Sequence, residues 1–219
     1  MIDKYLLSVC LLVIDEFNAE YKGLRVLSTE LDDAAYRYTE ADLIYRVAAP
    51  FKNQPNFSVY TPKGKGQGYH DIEIRSKDFN LEIKYLKTLY SNKGSTKSNK
   101  VGWKAIQKDL DWLQESIEGG RKGKDAVVMG WFNSTERFSQ QMQLGETENS
   151  MLQEISPRKE VYFPFIDYNK STRSTLSTTY KYKWALVPMK VGLPLKDDKQ
   201  MNCMFLGCQD DKFHIALYY

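Results

Sequence analysis

The sequence predicts an α/β protein in which helices flank a mixed central β-sheet, followed by a β-rich C-terminal extension. Three observations lead there. Residues 3–20 and about 31–51 place apolar side chains at helical spacing, residues 69–85 switch to strict alternation, and a second helical stripe near 101–118 precedes the apolar run Asp125–Phe132. The 219 residues correspond to one large unit: helices and core over 1–133, with 134–219 packed on them.

In the first helix, the apolar run Tyr5–Ile14 ends at Asp15-Glu16. One lysine precedes it and no small-residue cleavage site follows, so a secretory signal is disfavoured, and Val9 before Cys10 does not fit a lipoprotein signal. The run is too short to span a bilayer. A buried amphipathic helix in a cytoplasmic protein without membrane contact is the expectation. Ala35, Leu43, Ile44 and Val47 then supply a broken helical stripe up to Pro50. Phe57, Val59 and Tyr60 read as a strand, and Gly64, Gly66 and Gly68 with Lys63 and Lys65 as a basic turn.

Alternation is strict in Tyr69–Arg75 and Phe79–Tyr85. Ile72, Ile74, Leu81 and Ile83 share one face, while Asp71, Glu73, Glu82 and Lys84 share the other. Ser76-Lys77-Asp78 makes the two segments a hairpin. A two-residue loop at Lys77-Asp78 sets Glu73 opposite Glu82 and Asp71 opposite Lys84; a three-residue loop would put Ile72 against Glu82, mixing the faces. The predicted register is the first.

Three carboxylates on one strand face repel each other unless a cation or water lies among them. With no cysteine nearby and only two histidines in the chain, hard oxygen ligands favour Mg²⁺ (or Mn²⁺) over zinc. Lys84, two residues from Glu82, can orient a water and balance charge developing on a phosphate. A solvated strand face would carry the same letters.

Lys87 to Lys104 reads as a basic loop leading into a helix from about Val101 to Glu118, whose stripe is Trp103, Ile106, Leu110, Leu113 and Ile117. Lys104, Gln107, Lys108 and Asp111 lie off the stripe, and Gly119-Gly120 ends the helix. Asp125–Phe132 reads as a buried strand returning beside the hairpin.

This order of helix, strand, strand with Asp, strand with Glu-x-Lys, helix and strand resembles the PD-(D/E)XK nuclease superfamily over about residues 39–133. The resemblance implies a restriction-endonuclease-like core and Mg²⁺-dependent hydrolysis of DNA, in bacterial or phage restriction, repair or recombination. By position, Asp71 matches the first acid and Glu82 and Lys84 the Glu-x-Lys. Glu40 is the best match for an acid on the preceding helix. His70 stands where the motif usually has proline. Asp71 and Glu82, with Glu73 beside them, would then hold the ion, and Asp71, Glu82, Lys84 and Glu40 would carry the chemistry. Lys93, Lys97, Lys100, Lys104, Gln107 and Lys108 would meet the nucleic acid. Cleavage of both strands would suggest a homodimer.

Composition narrows the alternatives. Thirty-one Lys+Arg against 28 Asp+Glu leave a charge of +3, so bulk charge does not by itself predict a phosphate-binding face. Three scattered cysteines exclude a disulfide framework. A noncatalytic binding protein on the same fold, such as an immunity, inhibitor or anti-defence protein engaging a macromolecule, is the second expectation. Residues 134–158 are polar. Candidate strands follow at 161–166, 175–187, 201–206 and 213–219, with turns at Gly192-Leu-Pro194, Asp197-Asp198 and Asp210-Asp211.

Overall fold

A computed structural model describes residues 1–22, 38–62, 69–85, 97–132, 189–207 and 211–219. The expected helical residues 31–37, basic turn 63–68, basic loop through residue 96 with Lys93, polar stretch 134–158, strands 161–166 and 175–187, and Asp210 lie outside the described residues.

Among the described residues, seven strands form one sheet: β1 (Phe57–Pro62), β2 (Tyr69–Ile74), β3 (Phe79–Tyr85), β4 (Asp125–Phe132), β5 (Met189–Pro194), β6 (Gln200–Leu206) and β7 (Phe213–Tyr218). Their order is β1-β2-β3-β4-β7-β6-β5. The pair β3–β4 is parallel and every other pairing is antiparallel, so the sheet is mixed. Parallel neighbours need a long crossover, and helix α3 (Lys97–Glu118) lies within that connection.

Strand parity sorts the side chains into two layers. Ile72, Ile74, Leu81, Ile83, Ala126 and Val128 join a core with α1 (Leu7–Glu20), which follows a π-helical turn at Ile2–Leu6, and with α2 (Glu40–Ala48). The reverse face, with Val127, Met129 and Trp131 of β4, is covered by α3 through the buried Leu110, Leu113 and Ile117. A Thr39 capping box starts α2: Thr39 Oγ1 accepts from the Asp42 amide at 3.3 Å, and Asp42 Oδ2 accepts from the Thr39 amide at 2.6 Å. Arg46 fastens α2 to α1, 2.6 Å from Glu16 and over the Phe17 ring at 4.6 Å. Cys10 and Cys203 are buried free thiols.

Three expectations are corrected. The β2–β3 register pairs Ile72 with Leu81 and Glu73 with Asn80, two residues away from the predicted pairing of Glu73 with Glu82. The link is longer than a two-residue turn: Arg75–Lys77 form a 3₁₀ turn and Asp78 takes the left-handed conformation, φ 49° and ψ 51°. A shift of two preserves parity, so the apolar and charged faces stay as predicted. Helix α3 begins at Lys97 rather than about Val101, which moves Lys97 and Lys100 from loop to helix. Gly192-Leu-Pro194 is not a turn but the end of β5, at the sheet edge where proline's missing N–H needs no partner. The turn at Asp197-Asp198 is present, both residues having positive φ.

A glycine sets the distance between α2 and the sheet. A Cβ on Gly130 of β4 would lie 2.6 Å from Phe213 Cζ and 2.9 Å from Leu43 Cδ2. Gly130→Ala is therefore expected to destabilise the protein by about 1–3 kcal/mol, as overpacking does, measured as a lower urea midpoint with unchanged slope.

Candidate functional site

The site is built at one end of β2 and β3. Continued one step from Ile72–Leu81, the register sets Asp71 beside Glu82 on the face that α3 covers. Both are buried, at 9% and 3% exposure. This contradicts a solvated strand face, because helices cover the sheet on both sides. Asp71 Oδ2 accepts from the Ile83 amide at 2.7 Å. Glu82 Oε1 lies 2.8 Å from His70 Nδ1, and since a carboxylate accepts, the ring donates from Nδ1. The His70 ring packs against Trp112 of α3 with centroids 5.4 Å apart. His70 thus orients Glu82.

Lys84 lies between two layers. Its Nζ is 2.9 Å from Asp109 Oδ2 on α3 and 3.5 Å from Glu40 Oε1 on α2, and it donates to the Ile83 carbonyl at 3.1 Å. Glu40 also accepts the Tyr85 amide through Oε2 at 3.1 Å. The acid expected on the preceding helix therefore joins the group, but through Lys84 and the β3 backbone. Asp42, by contrast, is used in the cap.

Charge and burial compete here. Burial pulls the Lys84 ammonium down, but the Glu40 and Asp109 carboxylates outweigh it and hold the group well above its ordinary value. Burial pushes Asp71 up to about 6. Glu82 and Glu40 add to that rise, while the Ile83 amide and Lys84 oppose it.

Among the described side chains, Glu73 does not converge with Asp71 and Glu82 as a third acid. Glu73 lies farther along the same face, toward the 3₁₀ turn, where its carboxylate is 3.1 Å from Arg75 Nε. Lys97, Lys100, Lys104 and Gln107 lie on the first half of α3, and Lys108 is exposed on the same helix. Asp109 was missed by the sequence reading. It is 8% exposed, three residues after Ile106 and four before Leu113, so it lies within the helix's apolar stripe. An acid in such a stripe was the available signal.

Among the described residues, no three His, Cys, Asp or Glu side chains converge as a metal site. A pair of carboxylates still fits Mg²⁺ or Mn²⁺, because Mg²⁺ commonly takes one or two carboxylates and keeps waters that phosphate oxygens replace. Asp71 and Glu82 are that pair. Two adjacent buried acids, one of them held toward its protonated form, are a donor set that a divalent cation would stabilise.

No described helix is long and apolar enough to cross a membrane. Comparison of the chain with protein-family models, curated proteins and solved structures finds no match.

The state of Asp71 gives a pH signature. A carboxyl with a raised folded-state pKa is protonated more readily in the folded chain, so its ionisation costs stability as pH rises from about 4 to about 6. Without divalent ions, Asp71→Asn is expected to be more stable than the parent at pH 7 by about 1–2 kcal/mol. The advantage should shrink below pH 6 and vanish near pH 4, as read by urea denaturation across pH.

Proposed function

We propose that the chain is a metal-dependent nuclease that hydrolyses DNA phosphodiester bonds, with a site and core of the PD-(D/E)XK, restriction-endonuclease-like kind. One observation carries this reading: the buried Asp71, Glu82 and Asp109 gather with the half-buried Lys84 at one end of the sheet, with Glu40 closing over them. Burying ionisable groups is expensive, and apolar residues of similar volume often serve stability as well or better. Chemistry on a charged substrate gives such an arrangement a purpose.

In this reading Asp71 and Glu82 hold Mg²⁺ (or Mn²⁺), while Glu73 is engaged by Arg75. When bound, the ion supplies Lewis acidity toward a phosphate oxygen and lowers the pKa of a bound water. Lys84, held by Glu40 and Asp109, would exchange one of its three contacts for the attacking water and set its charge beside the non-bridging oxygen that gains charge. Water oxygen would bond to phosphorus and shed a proton to solvent, the bond from phosphorus to the leaving sugar oxygen would break, and that oxygen would take up a proton from solvent. His70 holds Glu82, and Glu40 positions Lys84. Restriction, repair or recombination in a bacterium or phage is the setting that the family resemblance implies. Cytoplasmic localisation belongs to the same proposal, as does a homodimer where both strands are cut.

One observation favours a second reading, a noncatalytic binding module: Tyr45, Tyr60 and Tyr69 are 76%, 51% and 59% exposed, and tyrosine is enriched at interfaces. Incubation of supercoiled plasmid and labelled oligonucleotides with Mg²⁺, Mn²⁺ or chelator separates the two. The enzyme reading expects divalent-dependent scission, lowered roughly a hundredfold or more by Glu82→Ala or Lys84→Ala. Glu82→Gln, which keeps the bulk beside His70, should act as Glu82→Ala does. Folded protein that binds nucleic acid or a protein partner, yet cuts neither DNA nor RNA with either ion, would establish the module instead.

A further inference from the structure

A groove of about 360 Å³ lies between α2 and β1, walled by Ile44 and Tyr45 on one side and by Phe57, Val59 and Tyr60 on the other, with Lys52 among the lining residues. We infer that it takes one unpaired nucleobase of a DNA strand, stacked among the tyrosines, with a neighbouring phosphate on Lys52. The inference rests on the nuclease reading above and specifies its substrate as DNA that is single-stranded or locally opened.

Four features of the groove support this occupant. Its lining is mostly apolar, and the small Ala41 and Ala48 leave the α2 wall open to a flat ring. The two tyrosines are exposed, unlike core aromatics, and base stacking on such rings is tolerant of sequence. The lining contains a lysine and no acid, which matches a ligand with an apolar body and an anionic edge. Finally, Tyr60 has φ of +55°, a strained conformation for a bulky residue, between the regular pairs Val59–Ile72 and Thr61–His70. The ladder holds on both sides of Tyr60, so the irregularity is confined to the residue that lines the groove.

The groove lies on the α2 side of the sheet, opposite the side of Asp71 and Glu82, and Glu40 at the start of α2 connects the two through Lys84. Ala41 in its wall directly follows Glu40, and Tyr45 lies five residues along the helix, about 7.5 Å at 1.5 Å per residue.

The test is fluorescence anisotropy with a labelled twelve-nucleotide oligo-dT in chelator, so that binding is read without scission. Tyr45→Ala is expected to weaken binding at least fivefold, in line with the loss of one stacked base. Lys52→Gln should weaken it and reduce the salt slope by about 0.7, the value for one single-strand phosphate contact. Tyr60→Gly, which relieves the backbone, should raise stability while weakening binding. An abasic oligonucleotide should bind the parent as weakly as oligo-dT binds the Tyr45→Ala protein. Unchanged affinity in Tyr45→Ala, or equal binding of the abasic strand, overturns the inference. So does self-association in sedimentation that Tyr45→Ala abolishes, since the groove would then belong to a second copy. Scission lost in Glu82→Ala with groove variants unaffected refutes the groove alone; base-dependent binding without any scission refutes the hydrolytic reading alone.

Discussion

Lys84 carries an ammonium into a strand whose two faces are both covered by helices, and the neighbouring chain is arranged around that charge. Desolvating an ammonium costs several kcal/mol unless opposite charge and hydrogen bonds replace the lost water. Glu40 supplies a carboxylate from the α2 layer, Asp109 supplies one from the α3 layer, and the Ile83 carbonyl accepts a hydrogen bond. Because the two acids come from opposite sides of the sheet, the ion pairs tie both layers to the end of β3. Removing either acid would leave the ammonium with less compensation and loosen one layer.

The opposite end of β3 shows what a buried acid with a purely structural role looks like. Asp125, 2% exposed, accepts from Asn80 Nδ2 at 2.8 Å, from Arg121 Nε at 2.9 Å and from Ser116 Oγ, and so closes the start of the parallel pair against α3. Side-chain donors surround both of its oxygens. Asp71 instead takes a backbone amide on one oxygen, lies beside a second acid, and is pushed toward its protonated form. The contrast between two buried aspartates of one sheet supports placing the proposed chemistry at the Lys84 end.

Much of this was legible in the chain itself, for physical reasons that also explain what was not. Alternation at Ile72, Ile74, Leu81 and Ile83 fixed which face each charge would share, because parity survives any register shift of two. The α3 stripe and the run Asp125–Phe132 gave the helix and its buried strand. The cross-strand partner of Glu82 was not legible, since it depends on Asp78 adopting a left-handed conformation that aspartate only sometimes takes. Asp109 occupies a position of the α3 stripe that is ordinarily apolar, and its ion pair with Lys84 accounts for an acid there. Gly192-Leu-Pro194 has turn chemistry by composition, yet Gly192 leaves room for the Gln200 side chain, whose Nε2 would lie 1.2 Å from an added Cβ. That close packing between adjacent strands is a tertiary fact.

The central claim is that Asp71 and Glu82 form a pair suited to one divalent ion. Crystals soaked in Mn²⁺, with anomalous scattering recorded at the manganese edge, test it most directly. The account predicts a peak between the two carboxylates, with an oxygen of each within about 2.5 Å of it. Crystals in which Asp71 stays on the Ile83 amide and Glu82 on His70, with no peak between them at saturating Mn²⁺, would contradict it.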